Sequence, residues 1–349
     1  DGQLTVKGAT GAWINNGTFN AGTGKVLFDH GDLAETVTIS GITDFYDIEV
    51  AANTTMQPVA GNILRIEGAG TADATSVIDF STINNTVEWN GADQTIVNPN
   101  GTGGNSGYYK LILSGSGTKT MPAIAMNIAD ELKLDGTVTA TAQAPLTIGV
   151  ELEILEDATF ATGNFDHTVG GPFDNRGTFT ASPGTKITLN GTAVQEIYGG
   201  SPTTFEKLSI NNAAGIDIIT DITVNDTLTL TSGNLNVLNT TLTINGAITK
   251  TSGFINTALQ SSLTFGGTTA LVLATDLFAS TTQIKNLTIN RTGGVEFSSD
   301  ITVNDTLNLA SANPSITIGT LDMGTDTLNM GENAITIGNG DLTGIVKRE

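Results

Sequence analysis

The chain contains no cysteine, so neither a disulfide nor a thiolate metal site is open to it, and redox pairing says nothing about its compartment. Basic residues are scarce: 14 Lys and Arg stand against 35 Asp and Glu, for a net charge of −21. Nucleic acid and anionic membrane surfaces both demand positive charge, so this balance argues against them and favours solubility and cation binding. Only 8 prolines, 4 tyrosines and 2 tryptophans occur in 349 residues. No apolar run approaches about 18 residues, the minimum for a helical membrane span. The first residues are polar and lack the pattern of a signal peptide, so a mature chain or a piece of a longer protein is expected.

What the chain does have is repetition. Asp-Ile-Thr-Val-Asn-Asp-Thr-Leu occurs at Asp221–Leu228 and again at Asp300–Leu307, and Lys207–Asn211 matches Asn286–Asn290 at the same offset. Fainter echoes share a second, longer offset, with Trp13–Phe19 matching Phe173–Phe179 and Phe45–Ile48 matching Phe205–Leu208. A related cassette recurs at Val87–Gly91, Ile187–Gly191 and Leu263–Gly267, and more loosely at Val26–Phe28. Repeats of this kind predict a quasi-one-dimensional solenoid, with units of about 1–60, 61–122, 123–219, 220–299 and 300–349, and varying spacers that loop out of a common scaffold.

Within a repeat, apolar residues alternate with polar ones in doublets that step by seven: Leu228/Leu230, Leu235/Val237 and Leu242/Ile244, then Leu321/Met323, Leu328/Met330 and Ile335/Ile337. Alternation is the period of a half-buried strand. The doublets are followed by residues that tolerate tight turns, as in Ser232-Gly233-Asn234, Asn245-Gly246 and Gly338-Asn339-Gly340. Three steps of seven close a coil of about 21 residues, which predicts an all-β, right-handed parallel β-helix. The expected form is a single elongated solenoid with roughly 16 or 17 coils and a length of about 80 Å. Ile128–Lys133 is the best helical candidate, although Leu132/Leu134 there also fits the doublet pattern.

The series Ile187–Thr192, Gln195–Ile197, Phe205–Asn212, Asp221–Leu235 and Thr241–Gly246 resembles repeats of very large secreted surface proteins of Bacteroidota, many of them gliding or attachment adhesins exported by the type IX pathway. The resemblance covers most of residues 80–349 and, loosely, 1–80; the closing Leu342–Arg348 resembles an internal repeat segment, and again suggests a piece of a longer chain. It implies an extracellular, cell-surface location, with the type IX translocon and neighbouring domains of the same chain as partners. A surface or polysaccharide ligand is compatible with it. It specifies a repeat type and no activity.

Candidate chemistry is sparse. The two histidines, His30 and His167, each follow an aspartate (Asp29, Asp166) near glycines. Each pair offers two ligands where zinc takes three or four, so turn residues on solvated loops explain them as well. Glu151 and Glu153 alternate with Leu152 and Ile154, ahead of Glu156 and Asp157. That places two carboxylates on the outer face of one strand about 7 Å apart, open to glycosidase chemistry, to calcium or to plain solvation. Asn225-Asp226 and Asn304-Asp305 read as turn formers, with calcium an alternative. Thr227–Thr231 and Thr241–Thr243 carry Thr-x-Thr, the outward pattern of ice-binding solenoids, interrupted here by Asn, Asp, Lys and Ser. Phe19, Phe45, Tyr109, Phe179 and Phe205 recur at cassette positions and suit core or corner packing, whereas Trp13 and Tyr108-Tyr109 are candidates for exposed sugar contacts. The reading that follows is a structural stalk of a surface adhesin with no catalytic residue, no metal ligand and no required cofactor. A polysaccharide-binding or polysaccharide-degrading β-helix is the alternative, and an ice-binding solenoid the next.

Overall fold

The computed structural model describes residues 2–8, 13–100, 107–278, 282–309, 321–330, 335–338 and 342–348. Among these there is no helix, and every strand pairing is parallel. The strands stack into a β-solenoid of about 14 turns. The expectation of 16 or 17 turns fails because coils are not uniform. Partners in successive coils lie close in sequence where Leu132 meets Leu152, farther apart where Val87 meets Leu111, and farther again where Ile301 meets Leu328. The chain divides into two compact units, 1–170 with 176–182, and 171–175 with 183–349.

In the first unit one sheet stacks Thr43–Phe45, Ile63–Ile66, Thr86–Trp89, Lys110–Leu113, Glu131–Leu134 and Glu151–Ile154. A second stacks Gln94–Thr95, Ser116–Thr120, Thr137–Thr141, Thr159–Ala161 and Thr178–Thr180. A third runs through Gly107–Tyr108, Met126–Ile128, Leu146–Ile148 and His167–Val169. Alternation sends every second side chain inward, so like residues fall above one another: Leu64, Val87, Leu111, Leu132 and Leu152 form one ladder, all at most 1% exposed. Such ladders exclude water along the whole stack and supply the main stabilising term. The helical candidate at Ile128–Lys133 is instead the end of one strand, a turn at Ala129-Asp130 and the start of the next. Its Leu132 and Leu134 are both fully buried, so the period-2 pattern prevails over helix propensity there.

In the second unit the doublets fall as the sequence predicts. Ile222/Val224, Leu228/Leu230 and Leu235/Val237 point inward from one coil and pair with Leu242/Ile244, Ile248/Lys250 and Ile255/Thr257 of the next. The repeat that relates Asp221–Leu228 to Asp300–Leu307 reappears as a repeated irregularity: the register slips between Phe205 and Lys207, and again between Ile284 and Asn286. The copies are nevertheless out of phase around the coil. Phe205 is followed up its column by Val224, Ile244, Phe265 and Ile289, not by Ile284. One expected inward doublet does not hold, because Ile335 and Ile337 pair with Thr306 and Asn308 and are 53% and 46% exposed. A one-residue shift in register turns a whole strand over. Leu328 and Met330 are buried as expected, while Asn339 and Gly340 lie outside the described residues.

Candidate functional site

Charged side chains on the outer face of the first unit's leading sheet are brought together by register. Coil stacking places Arg65 beside Asp44 and Glu88, Lys110 beside Glu131, and Lys133 beside Glu153. Arg65 Nη1 meets Asp44 Oδ1 at 3.1 Å and its Nε meets Glu88 Oε2 at 2.9 Å. Lys110 pairs with Glu131; Lys133 Nζ meets Glu153 Oε2 at 2.6 Å, and Arg176 Nη2 reaches Glu153 Oε1 at 3.7 Å. Hydrogen bonding to Asp44 raises the Arg65 pKa despite the opposing effect of burial, and its guanidinium stays charged throughout. Of the paired carboxylates singled out in the sequence, both lie half-buried on this outer face, and Glu153 is held between two cations. Glu156 and Asp157 are exposed in the following turn, where Asp157 takes a left-handed φ of 69°.

Three carboxylates line one cleft elsewhere, a space of about 760 Å³ walled by Tyr46, Asp47, Glu67, Asp93 and nearby backbone. Asp47 Oδ1 accepts the Ala69 N–H at 2.6 Å and Asp93 Oδ1 accepts the Thr118 N–H at 2.7 Å, which fixes two of the three acids. Sequence reasoning missed this group because its members lie about one coil apart in the chain. Only the register of turns at Tyr46-Asp47, Glu67-Gly68 and Ala92-Asp93 assembles it. Beneath the cleft lies Lys119, fully buried, whose Nζ donates to Gly91 O at 2.7 Å, Ala92 O at 2.9 Å and Gln94 Oε1 at 2.6 Å. Burial lowers its pKa from 10.5 to about 8.

His167 is not the solvated turn residue that the sequence suggested. His167 is a buried strand residue beside Phe160; its Nδ1 accepts the Leu146 N–H at 3.1 Å, and its Nε2 lies 2.9 Å from Thr162 O. The accepting Nδ1 leaves the proton on Nε2, so the ring is a neutral structural link, and burial lowers its pKa. His30 is half-buried, with its backbone N–H bonded to Thr54 Oγ1 at 3.0 Å, while its neighbour Asp29 lies 3.5 Å from Lys7. Among the described residues no three His, Asp or Glu side chains are grouped so as to hold a metal ion.

The Asn-Asp pairs are not turn formers. Asn225-Asp226 and Asn304-Asp305 sit inside the long strands Ile222–Ser232 and Ile301–Leu309, opposite the register slips. There Asp226 pairs with Lys207 at 3.4 Å, and Asn225 links Glu206 to Asn245. Tyr108 also corrects the expectation of an exposed ring: it is fully buried, stacked on Phe80 at 5.2 Å, and donates its hydroxyl to Val97 O at 2.8 Å. Tyr109 is half-buried. Trp13 packs against Phe19, Phe28 and Phe45 at centroid distances of 4.8, 6.3 and 5.0 Å, and its Nε1–H bonds Thr43 Oγ1 at 3.1 Å. Phe45, Phe179 and Phe205 are core residues, as the cassette phase implies.

Threonines are arrayed in a place the sequence did not single out. On the first unit's second sheet, Thr118, Thr139, Thr159 and Thr178 point outward in one column, and Thr120, Thr141, Ala161 and Thr180 in the next. Lys119, the one charged residue in the strands Ser116–Thr120, Thr137–Thr141, Thr159–Ala161 and Thr178–Thr180, faces inward. The Thr-x-Thr runs noted in the sequence lie in the second unit, where Thr229 and Thr249 hydrogen-bond each other at 3.0 Å. No protein-family model, curated protein or solved structure matches this chain.

Proposed function

We propose that this chain is a structural stalk or spacer of a secreted cell-surface adhesin, a scaffold for attachment or gliding that performs no catalysis. The cross-coil charge pairing carries this reading. Lys133 and Glu153, groups that acid–base chemistry would draw on, bridge neighbouring coils, as does Arg65, with two partners apiece for Arg65 and Glu153. Continuous inward ladders and paired outer charges suit a body that bears tension. Extracellular display, export by the type IX pathway and neighbouring domains as partners belong to the same reading and rest on the repeat resemblance.

A second reading is favoured by the cleft at Tyr46. An aromatic ring beside three carboxylates suits a polysaccharide, which stacks on the ring and donates hydroxyl hydrogens to the acids. The test is to incubate the chain with acidic and neutral polysaccharides and measure reducing-end release and binding. A stalk releases no reducing ends. Release that is lost in Glu67→Gln would assign catalysis to the cleft and overturn the stalk reading; release lost in Glu153→Gln would assign it to the charged sheet.

A further inference from the structure

We propose that the threonine-bearing sheet of the first unit is an ice-binding face, a role independent of the stalk reading. Its two outward columns repeat in both directions: about 4.8 Å from coil to coil and about 6.6 Å from one outward residue to the next along a strand. The pairings Ser116–Thr120 with Thr137–Thr141, Thr139–Thr141 with Thr159–Ala161, and Thr159–Ala161 with Thr178–Thr180 run without a register slip. The long strands of the second unit carry such slips. The result is a regular lattice of methyl and hydroxyl groups whose repeats resemble those of oxygens on a prism face of hexagonal ice.

Two further observations point to an ordered-water ligand. First, the face is neutral in a chain of net charge −21, because Lys119 is turned inward and satisfied by three oxygens. The neighbouring charged sheet of the same coils carries its ions outward. A charged group holds its own hydration shell and does not fit an ice lattice, so a neutral face is the one complementary to a neutral crystal. Second, the hydroxyls of Thr118, Thr139, Thr159 and Thr178 make no hydrogen bond to any described residue, and neither do those of Thr120, Thr141 and Thr180. Some outward hydroxyls elsewhere are used within the chain, as in Thr229 with Thr249 and Thr227 with Asp226. A flat crystalline polysaccharide fits less well, because Phe160 and Phe179 face inward and the outer side offers no aromatic platform.

The experiment uses the whole chain, fluorescently labelled, in ice-affinity partitioning and ice-recrystallisation inhibition. Wild type should enter growing ice and suppress recrystallisation. Thr139→Lys, at the centre of the array, should raise the concentration needed about tenfold, whereas Asn236→Lys, on the outer face of the second-unit strand Leu235–Val237 beside Asp217, should leave it unchanged. Thermal unfolding confirms that each variant is folded, and Thr159→Lys replaces Thr139→Lys if the latter is not. Exclusion of wild type from ice overturns the proposal. So do equal activities for Thr139→Lys and wild type, or binding to microcrystalline cellulose or chitin without binding to ice.

Discussion

Replacing Leu132 by alanine should open a void in the middle of the inward ladder. Leu132 is fully buried, in register with Leu111 on one side and Leu152 on the other, themselves 0% and 1% exposed. Removing three carbons loses about 2 kcal/mol of transfer free energy, and the unfilled space adds to it, for a total of about 3 kcal/mol. Each coil of a solenoid contacts only its neighbours, so the loss should be concentrated at the two interfaces Leu132 makes. Native-state hydrogen exchange followed by mass spectrometry reads this directly. Protection of Lys110–Leu113, Glu131–Leu134 and Glu151–Ile154 should fall by about two orders of magnitude, the equivalent of ~3 kcal/mol. Lys133→Ala on the same strand removes only a partly exposed ion pair, side chains 23% and 15% exposed, and should change protection less than about fivefold. Equal effects for the two variants, or a loss at Leu235–Val237 as large as at Glu131–Leu134, would refute the ladder argument.

Three other perturbations have definite signs. Gly136 has φ +74°, and a Cβ there would lie 2.4 Å from Gly115 O, whereas at Gly22, φ +54°, nothing lies within 4 Å. Gly136→Ala should therefore lower stability by about 2 kcal/mol or more and Gly22→Ala by about 1, measured by thermal unfolding. His167 has a folded pKa lowered by burial, so the unfolded chain takes up its proton first. Stability should fall as pH drops below about 6.5, less so in His167→Gln, and ¹⁵N NMR should find the proton on Nε2. Lys119 has a folded pKa of about 8 against 10.5. Stability should rise by up to ~3 kcal/mol as pH climbs from 8 towards 10.5. Burial raises the Tyr108 pKa above its ordinary value of 10, so an opposing loss begins above about pH 10, where the unfolded tyrosine ionises. Lys119→Met should abolish the rise and keep the loss.

Period-2 doublets at Leu228/Leu230 and Leu235/Val237 made the strands legible, because one coil's strands need no information from any other coil. What depends on which coil sits above which was not legible. Tyr46, Glu67 and Asp93 meet only through register, as do Thr118, Thr139, Thr159 and Thr178. Spacers that differ in length from coil to coil, short from Thr159 to Thr178 and long from Ile301 to Leu328, hide that register from any fixed period. Burial misled for the opposite reason: Tyr108 and His167 have polar groups that suggest a surface, yet each finds a backbone partner inside. The outward turn of Ile335 and Ile337 was hidden as well, since a doublet tells which residues share a face and not which way the strand is turned.

The stalk reading claims that the stacked coils transmit force, and pulling a single molecule between its two ends tests that most directly. The account predicts that the chain resists and then yields in successive lengths matching one or a few coils, about 20 to 25 residues each or multiples of that. Featureless extension at low force, without steps of that size, would contradict it.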